Sequence, residues 1–60
     1  MLESITAALD CATFTRRDLQ EALKHAGPVE ALLLLPMIGR AETLRADLAA
    51  LREALASKGA

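Results

Sequence analysis

The segment Leu23-Lys24-His25-Ala26-Gly27-Pro28-Val29-Glu30 divides the chain in two. Glycine is the usual residue just past a helix C-terminus, and proline is favoured at the first position of a new helix. Gly27-Pro28 therefore ends one helix and begins another. What lies on either side decides how many helices there are and which faces they must bury.

After the turn comes the most apolar stretch of the chain. Leu32, Leu33, Leu34 and Leu35 are consecutive. At about 100° per residue they point to most of the helix circumference, and a helix that is apolar all round is buried all round. Sixty residues cannot surround it. Pro36 removes an amide donor and disfavours helix at Leu35, and Gly39 is a second weak point, so a break or sharp kink is expected over 36–39. From Arg40 to Ser57 a strong helix follows. Ala41, Leu44, Leu48, Leu51 and Leu55 recur in steps of three and four, with Ala41, Leu48 and Leu55 at a and Leu44 and Leu51 at d of a heptad. In a parallel pair of such helices Asp47 would meet Arg52 of the partner. In an antiparallel pair Arg45 or Arg52 would approach another arginine, so this patterning favours the parallel pair. The competing reading packs the seam on the chain's own preceding helix.

Before the turn, Leu19, Ala22, Leu23 and Ala26 share a helical face, as do Leu2, Ile5, Leu9 and Ala12 further upstream. Between them lies Phe14-Thr15-Arg16-Arg17-Asp18-Leu19. Thr15 can serve as an N-cap with Asp18 at the capping-box position, and Phe14 with Leu19 fits a hydrophobic staple. The pattern predicts a new helix from Arg16 and a stop near Ala12 and Thr13.

The expected fold is thus all-α: one domain over residues 1–60, a hairpin or small bundle of three to four helices completed by dimerisation. Composition agrees. Alanine (13) and leucine (12) dominate, while seven β-branched residues and one aromatic, Phe14, leave little for a sheet. A chain this short needs a disulfide, a metal or oligomerisation to hold its fold. Cys11 is the sole cysteine, and with His25 it makes two of the roughly four ligands a structural zinc needs. Oligomerisation is what remains. The expected core comprises Leu9, Leu19, Leu23, Leu32, Leu33, Leu35, Leu44, Leu48, Leu51 and Leu55.

Chemistry-bearing motifs are weak throughout. No cofactor fingerprint, phosphate loop or metal motif is present. Glu21 and His25 stand at i and i+4, which on a helix is more often a solvent-facing pair than a ligand pair. A Cys11–His25 dyad would lack an orienting third group. Arg16, Arg17 and Lys24 are the candidates for nucleic-acid contact. The net charge of −1 and a helix after Gly27-Pro28 with no Arg, Asn, Gln, Lys, Ser or Thr before Pro36 count against that reading. The longest apolar run, Ala31 to Ile38, has eight residues, against about 20 for a membrane span. A cytoplasmic protein without cofactors is expected, and not an enzyme. Its expected role is that of a small regulator or adaptor of the inhibitor, anti-activator or chaperone type. It would homodimerise and bind another, unidentified protein through an apolar helical surface. The interface residues would be Leu32, Leu33, Leu34, Leu35, Leu44, Leu48, Leu51 and Leu55. A small transcriptional regulator and an accessory subunit of a larger complex are the alternatives.

Overall fold

The structure, a computed structural model, describes residues 1–59. Two helices form an antiparallel hairpin: α1 spans Leu2–Lys24 and α2 spans Pro28–Gly59. The molecule is a rod of 48 × 14 × 12 Å. A straight helix of 32 residues is about 48 Å long, so α2 alone sets the length and is not folded back on itself. No helix among the described residues is long and apolar enough to cross a membrane.

Both expected interruptions are absent, and two helices stand where three to four were expected. The stop at Ala12–Thr13 gives way to continuous helix. The Thr13 hydroxyl donates to the Leu9 carbonyl at 3.0 Å, as Thr6 does to Leu2 and Thr43 to Gly39. This back-bonding is how threonine is accommodated inside a helix. The larger reason is register. Ile5, Leu9, Ala12, Arg16, Leu19, Leu23 and Ala26 form one unbroken stripe in steps of four and three, all half-buried or buried. A break at Thr15 would turn half of that stripe away from α2. A cap is worth about 1 kcal/mol, less than the packing of several apolar side chains.

The same reasoning carries α2 through Pro36. Leu34 and Ile38, four residues apart, both face α1, and a break between them would lose one. Pro36 deprives the Leu32 carbonyl of its helical donor. Leu32 is 73% exposed, so water has access to that side of the helix. Pro28 begins α2 as the sequence predicts, but Gly27 plays a different part. The backbone has no positive φ; α1 closes instead through tight bonds from His25 N to Ala22 O and from Ala26 N to Leu23 O. Gly27 is the N-cap of α2, its carbonyl accepting from Ala31 N at 2.9 Å. The Glu30 carboxylate, three residues on, folds back over it, 2.8 Å from where a Cβ would stand.

The core is one interhelical seam. Leu34, Ile38, Ala41, Leu48 and Leu55 of α2 meet the α1 stripe, spaced by three, four or seven residues so that they share one helix face. Ala12, Ile38 and Ala41 are its buried members, and no large side chain is fully buried. The expected core is corrected accordingly. Leu32, Leu33, Leu35, Leu44 and Leu51 lie exposed on this chain, whereas Ala12, Leu34, Ile38 and Ala41 are inside. Arg16 occupies an apolar position of the stripe, its side chain 31% exposed and its Nη1 3.9 Å from Glu42 Oε1. Arg45 Nε donates to Thr13 Oγ1 at 3.2 Å. These two contacts mark the register in which the helices pair.

Two adjacent residues test the fold in opposite directions. Ile38→Ala removes a buried side chain from the seam and should lower stability by about 2 kcal/mol or more. Gly39→Ala adds a Cβ that meets nothing within 4 Å and should raise it by about 1 kcal/mol. Urea unfolding followed by circular dichroism measures both.

Candidate functional site: an open apolar groove

The heptad a and d positions of α2 part company in the structure. Ala41, Leu48 and Leu55 turn to α1, while Leu44 (53% exposed) and Leu51 (44%) turn outward. Leu33 and Met37 continue the outward line toward the turn, at the same three-four spacing. This ridge borders an open groove of about 590 Å³ between the helices. From α1 the groove is lined by Ala8, Cys11, Ala12, Thr15 and Leu19. From α2 it is lined by Met37, Arg40, Ala41, Leu44 and Leu48. The α1 wall is thus mostly small side chains, Leu19 excepted, and the α2 wall mostly large ones, Ala41 excepted. Arg40 and Asp47 stand one heptad apart along the outer flank of the ridge and share a shallow depression with Pro36, Gly39 and Thr43. Among the described residues neither enters an ion pair.

The four consecutive leucines divide by direction. Leu34 packs on α1, Leu33 falls on the ridge, and Leu32 and Leu35 face away from both, with Val29 beside them near the turn. The eight expected interface residues are therefore not one surface. Leu34, Leu48 and Leu55 belong to the internal seam, Leu33, Leu44 and Leu51 to the ridge, and Leu32 and Leu35 to a separate patch at the turn end. Met37, Ala8 and Thr15 were missed. Met37 follows the proline that was expected to break the helix, and Ala8 and Thr15 line one groove with Leu44 only once α1 runs unbroken.

The polar candidates are dispersed. Cys11 is exposed on the groove wall, and His25 lies 14 residues further along α1, about 21 Å away. Glu21 and His25 approach to 3.6 Å on the solvent side, and Lys24 Nζ donates to Glu21 Oε2 at 3.2 Å. No group of three His, Cys, Asp or Glu side chains among the described residues could hold a metal ion. Of the possible nucleic-acid contacts, Arg16 is turned into the seam with its Nε buried and unpartnered. Arg17 lies over the Phe14 ring, 5.9 Å from its centroid, and Lys24 is held by Glu21. The three do not form one basic face. Comparison with protein-family models, curated proteins and solved structures finds no match to this chain.

Arg16 therefore acts on the fold. Arg16→Ala should cost about 1 kcal/mol through the packing of its stem, while Arg17→Ala should be nearly neutral. Chemical unfolding of each variant measures this. Stepwise salt elution from heparin should show no retention of the parent chain at near-physiological salt, because binding to a polyanion needs several cations acting together and weakens steeply with salt.

Proposed function

We propose that the chain is a non-enzymatic protein-interaction module whose first partner is a second copy of itself. The observation that carries this is the uncovered groove with its ridge of Leu33, Met37, Leu44 and Leu51. The amount of surface is also informative. The chain exposes 4548 Å², whereas a compact protein of 6.4 kDa exposes about 3,800 Å². The excess of about 750 Å² is close to the roughly 800 Å² that each partner contributes to a standard interface. Two hairpins joined at this face make a four-helix bundle with a shared core. A two-fold pairing sets the leucine-rich α2 ridge of one copy against that of the other, and the mostly small side chains on the α1 side of the groove let the α1 helices approach as well. The turn-end patch of Val29, Leu32 and Leu35 lies off the groove and is the face left for a different protein, in the manner of a small regulator or adaptor.

Sedimentation at micromolar concentration should give a dimer, and a Leu44→Glu chain should sediment as a monomer. A second measurement on the parent chain is independent of any variant. Cys11 is exposed on the groove wall, so its reaction with a thiol reagent should slow as protein concentration rises through the dimerisation range. A parent chain that remains a folded monomer up to millimolar concentration, with concentration-independent thiol reactivity, would overturn the proposal.

A further inference from the structure

We infer that the second copy seats with its α2 antiparallel to the first, in a register set by Arg40 of each copy against Asp47 of the other. This deepens the self-association proposed above and rests on it. The inference begins with the ridge. Leu33, Met37, Arg40, Leu44, Asp47 and Leu51 form one stripe in steps of four and three, so two copies of α2 meeting along the ridge bring Arg40 and Asp47 to the contact. Both side chains belong to exposed residues, and neither has an ion-pair partner within its own chain among the described residues.

Direction follows from charge. In a parallel pair each residue stands level with its own copy, setting Arg40 against Arg40 and Asp47 against Asp47. Like charges facing each other across an interface are strongly unfavourable. In an antiparallel pair with the two-fold axis between Thr43 and Leu44, Arg40 stands level with the other copy's Asp47, and the reverse pair forms by symmetry. The same axis brings the two Leu44 side chains together at the centre. It also places Met37 near the level of the other copy's Leu51, so the apolar and charged layers agree on one register. Every pair of neighbouring helices in the resulting bundle is antiparallel, which sets opposite ends of their dipoles side by side.

The α1 helices fit this arrangement. Given the Arg45–Thr13 and Arg16–Glu42 contacts, the axis crosses α1 close to Thr15. The outward side chains there, Ala8, Cys11 and Thr15, are small enough to let α1 approach its copy closely. Arg45 and Arg52, which the heptad pattern alone would set beside the partner helix, are used differently. Arg45 is bound to Thr13 of its own α1, and Arg52 stands near Leu9 on the opposite side of the hairpin from the ridge.

Charge exchange tests the inference. Arg40→Asp and Asp47→Arg each create two like-charged contacts per dimer and should weaken dimerisation by about tenfold or more. The double variant restores both pairs in reversed order and should return the dimerisation constant to within about threefold of the parent. Both positions are exposed, and circular dichroism checks that each chain remains helical. Air oxidation supplies a second readout. In the antiparallel bundle the two Cys11 residues are separated by about 10.5 Å along the helices alone, beyond the roughly 7 Å between Cα atoms that a disulfide spans, so no cross-linked dimer should form. Single variants that dimerise as well as the parent, a double variant no tighter than the singles, or a ready Cys11–Cys11 cross-link would each overturn the antiparallel register while leaving the dimer itself intact. A monomeric parent chain would instead remove the self-association on which it rests.

Discussion

Two helices can share only one seam. Each presents a full circumference of side chains, and the pair covers a single stripe of each. Every other property of this molecule follows from which stripe is used. The seam runs from Ile5 on α1 to Ala26 in the turn and from Leu34 to Leu55 on α2, and its most buried members are Ala12, Ile38 and Ala41. Two of those three are alanines. They bring the helix backbones close together but bury little area. The larger side chains of the seam, Leu9, Leu19, Leu23, Leu34 and Leu48, stay half-buried at its edges. A seam of this kind sets the register well and supplies only modest hydrophobic stabilisation, since that scales with the apolar area removed from water.

This constraint explains why the local breaking signals fail. Proline and glycine inside α2, and the threonine pair in α1, each carry a definite local cost. Each of those costs is borne by one residue, whereas a break would disrupt the seam over a whole helix. Pro36 is also placed where its cost is least, because it is exposed. Gly39 carries its ordinary cost, since a Cβ there would meet only open space. The proline thus lies on the face where water can satisfy the carbonyl it leaves without a donor.

The helical class, the turn at Gly27-Pro28 and the strong helix after Arg40 were all legible in the sequence, because they rest on composition, local turn chemistry and a clean three-four repeat. The continuity of α1 was not, because Arg16 sits at the apolar position that joins its two half-stripes. An arginine reads as solvent-facing until its stem is seen packed between helices with Glu42 at its tip. The division of the heptad was hidden for a related reason. Ala41, Leu48 and Leu55 are chemically indistinguishable from Leu44 and Leu51 in a pattern of apolar and polar letters. Only the position of α1 reveals that the first set is used internally and the second is left over. Of the leucine run, the sequence indicated that one short helix could not bury all four. It could not say that they divide among the seam, the ridge and the turn end.

That division gives the surplus apolar surface its meaning. Exposed leucines scattered singly are ordinary on any protein. Here Leu33, Met37, Leu44 and Leu51 line up at helical spacing beside a wall of mostly small residues, and the two charges in line with them are of opposite sign. A two-helix hairpin leaves a second stripe on each helix without a partner, and the sequence has filled the α2 stripe with leucine, methionine and one ion pair's worth of charge. A stripe meant for water would carry the mixed charges found elsewhere on these helices, such as Glu21 beside Lys24 and His25. Under the self-association proposed above, this stripe is covered by a surface of the same composition, that of a second copy of the chain.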